Sequence, residues 1–237
     1  MDGVIQNRRI MVKSGIVKSL VFILVIFLLN LISICLFAQN MEPLKIELPF
    51  PMFIGTPQNF NVDKLEMPSE IPRPPFYAPV GTENVALGKY IESTDEEPLI
   101  GDIELITDGD KEATDGSFVE FRSGKQYITI DLESVYEIYA ILIWHFHKKA
   151  RVYKDVIIQV SSDPDFVIDV ETLFNNDHDN SSGLGVGEDL HYVETHEGKL
   201  IDAKGVHGQY VRLYSNGNTY NELNHYIEVE VYGKQVE

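Results

Sequence analysis

The chain has 237 residues, with 19 basic and 37 acidic side chains, a formal net charge of −18 and 44% hydrophobic residues. This length and composition are typical of one globular domain with additional segments. An acidic surface repels the phosphate backbone of nucleic acids and anionic lipid headgroups, so the charge excludes both as general partners. The charge favours calcium ions and neutral ligands such as sugars, although a need for solubility alone explains it equally well.

The N-terminus has the organisation of a secretory signal peptide. Basic residues precede an apolar run from Leu20 to Phe37, and Ala38 is the small residue at the predicted cleavage site. The run is also close to the ~20 residues that span a bilayer, so residues 1–38 are either a signal peptide or an uncleaved membrane anchor. In both cases the rest of the chain is exported, and we expect it to contact the membrane only if this segment stays uncleaved. Because one short module follows the signal, we expect a secreted, periplasmic or cell-surface protein of a bacterial envelope.

The only cysteine, Cys35, lies inside the predicted signal peptide. After cleavage the chain therefore has no disulfide, no zinc–thiolate site and no cysteine nucleophile. An exported domain without disulfides depends on its apolar core, with help from a metal ion where one binds.

Residues 39–83 are predicted to form an extended, Pro-rich tether. Prolines recur from Pro49 to Pro79, and each one fixes its own φ angle and disfavours helix in the residue before it. The stretch at residues 48–54 is too apolar for a pure spacer. We expect it to lie on the domain or to dock on another protein.

Residues 84–237 form the predicted folded domain. Apolar and polar residues alternate in segments 127–132, 210–215 and 226–232, which is typical of half-buried strands. The near-continuous apolar run at 137–144 predicts a strand that is covered on both faces. Turn residues separate these segments, and a further strand is expected near residues 190–194. This pattern predicts an all-β sandwich or jelly roll.

Six short motifs occur in order along this domain. They include Asn84-Val-Ala-Leu-Gly-Lys89 and Ile106-Thr-Asp-Gly-Asp110, and the others lie at 128–132, 156–161, 209–214 and 228–233. Together they resemble the discoidin domain family, also called the coagulation factor five/eight type C domain, which is close to the galactose-binding-like carbohydrate-binding modules. The resemblance implies an eight-stranded antiparallel jelly-roll β-sandwich, with ligand-binding loops at one end and no catalytic centre. The chain departs from the family in lacking a cysteine pair and a Trp soon after the Asp-Gly-Asp motif, and in its long stretch at 174–197.

The resemblance also implies a structural calcium site, because family members share the ion between the Asp-Gly-Asp loop and the closing strand. Calcium takes about six to eight oxygen ligands, which a tight turn can supply in part from its carbonyls. Ser117 lies near the position of a further serine ligand. The alternative is a plain turn whose Asp caps its own backbone, with the acidic residues of the closing strand solvated. The predicted ligands are the side chains of Asp108 and Glu228 and the carbonyls of Leu105, Asp110 and Ile227.

A second acidic loop lies at residues 175–180. It lacks the full spacing of an EF-hand loop, so a solvated loop is the favoured interpretation over a calcium site.

The predicted carbohydrate ligands follow the apolar strand and precede the closing one. An Arg fork can bind two sugar hydroxyls, and an aromatic ring such as Trp144 or a Tyr can stack on a sugar face. The alternative is that Trp144 belongs to the core, that the histidines pack, and that residues 224–225 form a hydrogen-bonded turn. The predicted ligands are His145, His147, Arg151, Tyr153, Asn224 and His225.

The sequence shows no sign of catalysis, because it has no Gly-x-Ser-x-Gly elbow and no Cys–His pair after signal cleavage. We therefore expect an exported, non-catalytic module that is stabilised by Ca²⁺ and recognises carbohydrate or a glycoconjugate. The alternative is a protein-interaction or structural domain of a cell-envelope complex, with residues 48–54 docked on a partner protein. A small exported enzyme that uses the two histidines is a third, less favoured class.

Overall fold

The computed structural model describes residues 41–53, 60–67, 69 and 71–236, together with Ile23, Ile26 and Phe27. The predicted signal or anchor therefore lies outside the described residues except for these three. Within the described part of the chain, no helix is long and apolar enough to cross a membrane. The chain divides into two compact units.

The smaller unit contains one antiparallel pair of strands. Strand β1, Met41–Pro43, pairs with β2, Tyr77–Pro79, so that Met41 faces Pro79 and Pro43 faces Tyr77. A two-stranded pair tolerates proline at its ends, because the missing N–H points away from the partner strand.

The larger unit contains nine described strands and one 3₁₀ turn, Ile103–Thr107. Every strand pair is antiparallel, which confirms the predicted all-β antiparallel fold. The segment near residues 190–194, predicted as a strand, forms only a single bridge between Leu65 and His191. The strands are β3 Glu83–Asn84, β4 Tyr90–Ser93, β5 Val119–Phe121, β6 Gln126–Trp144, β7 Ile157–Ser161, β8 Glu171–Asn175, β9 Lys199–Ser215, β10 Asn224–Tyr226 and β11 Glu228–Gln235.

Two long strands, β6 and β9, pair with each other, and the sheet bends where their ladder is interrupted. Their ladder breaks between Asp131 and Tyr136, and Glu133 inside the break has a left-handed φ of 68°. Before the break β6 pairs with β4, and after it β6 pairs with β11. A strand that continues through such a break contributes to both layers of a sandwich.

Among the described residues, the larger of two clusters of buried apolar side chains fills the space between the layers, and the smaller one contains Trp144. The larger cluster joins Ile130, from before the break in β6, to Ile141, from after it, and it includes Phe121 of β5 and Tyr226 of β10. Each of these side chains is fully buried, which stabilises the fold by about 1.5–3 kcal/mol per large apolar side chain. Trp144 is also fully buried and donates to the His196 carbonyl at 2.9 Å. Trp144 is therefore a core residue, which was the alternative to its predicted role of stacking on a sugar.

Residues 60–67, 69 and 71–76, which we name the strap, lie against the sandwich within the larger unit. The Glu66 amide donates to the His191 carbonyl at 2.8 Å, and the Lys199 ammonium lies 2.8 Å from the Glu66 carboxylate. Further along, Arg73 Nη1 donates to the Gly198 carbonyl at 2.9 Å. This part of the region predicted as a tether is thus hydrogen-bonded to the domain.

Candidate functional site

The Asp-Gly-Asp loop meets the closing strand β11, as the resemblance implied. The Asp110 amide donates to Asp108 Oδ1 at 2.8 Å, which closes a tight turn. Gly109 adopts the left-handed φ of 88° that this turn requires. Its amide then points at the closing strand and donates to Glu228 Oε2 at 3.1 Å.

Glu228 is fully buried, and its second oxygen, Oε1, has no hydrogen-bond partner among the described residues. Burial, followed by the nearby charges of Glu230 and Asp108, raises the pKa of Glu228 to about 9, although the Gly109 amide and Lys111 oppose the shift. A buried carboxylate in this position needs either a proton or a cation to balance its charge. The group is therefore suited to bind a metal ion.

The remaining predicted metal ligands lie on the two elements that meet here. Leu105 is in the 3₁₀ turn, which packs against β11, and Ile227 directly precedes β11. Both carboxylate oxygens of Asp110 are used inside the loop, because they accept from the Glu112 amide and the Ser117 hydroxyl. Asp110 therefore has its carbonyl, rather than its side chain, to offer to an ion.

This donor set fits a hard cation such as Ca²⁺. The groups offer only oxygen atoms, and Glu228 Oε1 is an unpartnered acceptor on a carboxylate whose other oxygen bonds the acidic loop. The neighbouring Glu230 is already paired with the Lys111 ammonium at 2.6 Å, which leaves Asp108 and Glu228 as the acidic side chains that a cation would neutralise.

The predicted sugar ligands form a second polar group, centred on His145. His145 Nδ1 lies 2.6 Å from Glu194 Oε1, and neither side chain has any exposed surface. The imidazole stacks on the Tyr153 ring at a centroid distance of 4.3 Å. Sequence reasoning missed Glu194, because it lies in the long acidic stretch at 174–197, where no local pattern marks it out.

Arg151 and His225 lie beside this pair. The Arg151 guanidinium packs between the rings of Phe146, at 4.6 Å, and Tyr220, at 5.0 Å. Arg151 Nη1 lies 3.4 Å from His225 Nδ1, and His225 Nε2 lies 2.9 Å from Glu120 Oε2. Burial and the Arg151 charge lower the pKa of His225 to about 3, so the ring is neutral and its Nε2 hydrogen is assigned as the donor to Glu120.

The other two predicted sugar ligands have structural partners instead. His147 Nε2 lies 2.9 Å from the Lys111 carbonyl, so His145 and His147 contact different partners. Asn224 Nδ2 donates to the carbonyls of Arg122 and Gly124, and Asn224 Oδ1 accepts from the Gly217 amide. The structure therefore brings together His145, Arg151, Tyr153 and His225, whereas Asn224 joins backbone segments.

All six predicted sugar ligands are buried, with relative exposures of 5% or less. Tyr220, by contrast, is 66% exposed and covers Arg151 from the solvent side. Four of the six predicted residues lie together at this end of β6, beside Tyr220 in the loop before β10.

A cleft of about 460 Å³ lies between the strap and residues 192–200. Phe53 and Tyr192 supply aromatic surface to it, and Glu66, Arg73 and Glu197 supply charges. Sequence analysis did not predict this cleft, because it treated the strap as a spacer without contacts to the domain.

A comparison with protein-family models and a search of curated proteins found no match. Solved structures do show similarity. The chain is similar to a fucose-binding module, SpX-3, from Streptococcus pneumoniae, with 18% identity, a TM-score of 0.44 and coverage of 65% of this chain and 99% of that one. It is also similar to a serum F-lectin from striped bass, Morone saxatilis, with 17% identity, a TM-score of 0.45 and coverage of 65% and 50%.

A third similar structure is a family 89 glycoside hydrolase from Clostridium perfringens, with 20% identity and a TM-score of 0.47. The match covers 65% of this chain but only 15% of the hydrolase. At these identities the likeness concerns the fold alone.

Proposed function

We propose that the chain is an exported, non-catalytic domain that binds carbohydrate at the polar cluster around Arg151 and His145, and that Ca²⁺ stabilises its fold at Glu228. The observation that carries the sugar proposal is a set of buried polar atoms that lack partners within the described structure. These atoms are His145 Nε2, Arg151 Nε, Tyr153 Oη and Glu194 Oε2.

Unpartnered buried polar atoms are costly, at about 1–3 kcal/mol each, so a group that pairs with them gains that energy. The set includes a donor, Arg151 Nε, and an acceptor, Glu194 Oε2. A sugar hydroxyl both donates and accepts, so a polyol can satisfy both kinds of atom at once.

The charges of the cluster favour a neutral ligand. Arg151 attracts anions, but Glu194 and Glu120 lie close to His145 and His225 in the same cluster. A carboxylated or phosphorylated ligand would meet these two carboxylates, whereas the hydroxyls of a neutral sugar would not be repelled. We therefore infer a neutral saccharide rather than a uronate or a sugar phosphate.

Tyr220 is the proposed entrance to the cluster. It lies outside the strands, and its exposed ring contacts both Arg151 and Lys149. Moving this ring would open a path to Arg151, and an aromatic face is a favourable surface for stacking on a sugar ring.

Calcium would serve the fold rather than the ligand. Asp108 and Glu228 would hold the ion, together with carbonyls of the same two segments. The positive charge of the ion would balance the negative charge of the buried Glu228 carboxylate. The ion would thereby fasten the loop after the 3₁₀ turn to β11.

The experiment is a glycan array probed with the full chain in calcium buffer. We expect binding to neutral saccharides, with weaker binding to matched glycans that carry a uronic or sialic acid. Tyr220→Ala should change the affinity for the same glycans without changing which ones bind. An array without any saccharide signal would show the sugar proposal to be wrong.

A second candidate function, protein docking, rests on the apolar segment just before the strap. Phe50 is 71% exposed although its amide is fixed to the Glu112 carboxylate at 3.1 Å. An ordered backbone that presents apolar side chains to solvent is suited to contact a partner protein. Phe50→Ser should abolish capture of a defined envelope partner, and Tyr77→Ser, a change at another exposed aromatic residue, is the control.

A further inference from the structure

Two histidines meet in the long stretch between β8 and β9, outside both sites described above. The rings of His178 and His191 lie edge to face, with their centroids 5.0 Å apart and their planes at 88°. His178 lies in the loop after β8, whereas His191 forms a bridge to Leu65 of the strap. The pair is therefore made by the fold, since no local pattern of the sequence brings these two residues together.

Each ring has a buried nitrogen atom without a partner. These atoms are His178 Nε2 and His191 Nδ1, and neither has a hydrogen-bond partner among the described residues. A buried polar atom is normally hydrogen-bonded, and an unsatisfied one costs about 1–3 kcal/mol. Two such atoms on neighbouring rings point to a shared ligand, because one bound group would satisfy both.

The hydrogen bond of His178 favours a metal ion as that ligand. His178 Nδ1 lies 3.0 Å from the Gly187 carbonyl, which can only accept, so Nδ1 carries the ring hydrogen and Nε2 keeps its lone pair. Metal-binding histidines usually donate their other ring N–H to a carbonyl or carboxylate in this way, which fixes the ring. Burial, followed by the nearby His178, lowers the pKa of His191. His191 is therefore neutral at neutral pH, and the neutral imidazole is the form that binds metal.

The separation of the rings fits one ion bound to both. A zinc–nitrogen bond is about 2.1 Å long and a ring centroid lies about 1.1 Å behind its nitrogen, so the ion lies about 3.2 Å from each centroid. Two ligands of a tetrahedral ion subtend about 109°, which places the two centroids about 5.2 Å apart. The centroid distance of 5.0 Å in the structure agrees with this value.

We propose that His178 Nε2 and His191 Nδ1 bind a divalent transition-metal ion, and that this ion is Zn²⁺. Imidazole nitrogen suits zinc and its neighbours in the first transition row, whereas calcium and magnesium take oxygen ligands. The site therefore differs in chemistry from the one proposed at Glu228. Both histidines are partly exposed, so water can complete the coordination shell.

The ion would fasten the loop after β8 to the segment that holds the strap. The His191 amide donates to the Lys64 carbonyl at 3.0 Å, and the His191 carbonyl accepts from the Glu66 amide at 2.8 Å. A metal ion on both rings would keep His191 in the position from which it makes these two bonds. Zn²⁺ should therefore slow hydrogen exchange at the amides of His191 and Glu66.

The test is calorimetric titration of the full chain with Zn²⁺, in a buffer with excess Ca²⁺ that keeps oxygen-only sites filled. We expect one Zn²⁺ per wild-type chain. His178→Gln and His191→Gln should each bind Zn²⁺ at least tenfold more weakly, since even the outer partners of metal ligands change affinity by about 10–100-fold. His207→Gln removes an exposed histidine of β9 and is the matched control that should keep the wild-type affinity.

Nearby carboxylates are the rival ligands. Asp155, Asp177 and Asp179 offer oxygen atoms that lie within 4.8 Å of one another, and two of these residues flank His178 in the chain. Zn²⁺ binding that is lost in Asp179→Asn but kept in both histidine variants would overturn the proposal. A wild-type chain that does not bind Zn²⁺ would overturn it as well, and the two rings would then be packed edge to face without a metal.

Nitrogen NMR of the wild-type chain keeps the test decisive if a histidine variant fails to fold. Zn²⁺ should shift the signals of His178 Nε2 and His191 Nδ1 and leave those of the His207 ring unchanged. Unshifted signals of His178 and His191 in Zn²⁺-loaded protein would show that the ion binds elsewhere.

Discussion

Replacing Glu228 by Gln is expected to stabilise the metal-free protein. The pKa of Glu228 is about 9 in the folded chain and 4.5 ordinarily. Below pH 4.5 the carboxyl group is protonated in both the folded and the unfolded chain, so its raised pKa does not change the free energy of unfolding. As the pH rises toward 9, the unfolded chain loses the proton whereas the folded chain keeps it. At pH 7 this lowers the free energy of unfolding by about 3 kcal/mol, at ~1.4 kcal/mol per pKa unit.

Gln is a neutral group of the same shape, so it avoids this cost while its oxygen can still accept from the Gly109 amide. In chelator at pH 7, Glu228→Gln should therefore unfold at a temperature roughly 6–12 °C above that of wild type, as a gain of about 3 kcal/mol implies for a chain of this size. The difference should vanish near pH 4.5 and increase toward pH 9.

Calcium should reverse the order of stability. An ion that binds only the folded wild type adds about 4.1 kcal/mol at a thousand times its dissociation constant, which exceeds the gain of about 3 kcal/mol in Glu228→Gln, and Glu228→Gln should lose this increment. The assay is thermal unfolding by circular dichroism, with chelator and with calcium, from pH 4.5 to 9. Identical curves for both proteins in chelator at every pH would refute the reasoning about Glu228.

Three further predictions concern the fold around the sites. Gly198→Ala should destabilise the chain by about 1–3 kcal/mol, because a Cβ there meets the Trp144 ring at 2.8 Å. Gly183→Ala has a similar positive φ but open space around it, and in denaturant titrations it should cost only about 1 kcal/mol of backbone strain. Asn224→Ala should cost about 2–4 kcal/mol by calorimetry, since it leaves the buried Gly217 amide without its partner and removes two further backbone bonds, and a loss below ~1 kcal/mol would contradict a structural role for Asn224. The His191 amide donates to the Lys64 carbonyl of the strap at 3.0 Å, so Arg73→Ala, which should release the strap, is expected to speed hydrogen exchange at this amide, and unchanged protection would show that Arg73 does not hold the strap.

The closing strand shows what the sequence could predict and where it stopped. Alternation at residues 226–232 correctly predicted a strand, because the period of two is a local property of the chain. The same alternation left Glu228 and Glu230 as either solvated charges or ligands. Both are buried, because the loop that carries Asp108 and Lys111 folds over this face, and no local pattern encodes that contact.

The polar cluster shows the same limit. His145 and Arg151 could be singled out because they follow an apolar strand, where a loop brings polar residues close to the end of the sheet. Glu194 could not be singled out, since its pairing with His145 joins residues 49 positions apart. The position of Asp155 beside Asp177 depends in the same way on how β7 and β8 pair.

The described residues of the strap contain no helix, as the sequence predicted, but the contacts of the strap were not predicted. Its prolines correctly exclude helix, because each proline restricts its own backbone and the residue before it. Its attachment to the domain depends on the bonds of Glu66 and Arg73 to residues 191–199. These partners lie more than a hundred positions away, so neither the cleft nor its lining followed from the sequence.

The most direct test of the carbohydrate proposal compares two arginines that each pack against two aromatic rings. Arg151 lies in the polar cluster, whereas Arg212 packs on Tyr127 and Phe166 elsewhere. With a neutral saccharide from the array, calorimetry should show at least a tenfold loss of affinity for Arg151→Ala and no change for Arg212→Ala, with both variants folded. Equal affinities for wild type and Arg151→Ala would contradict the assignment of the sugar site to this cluster.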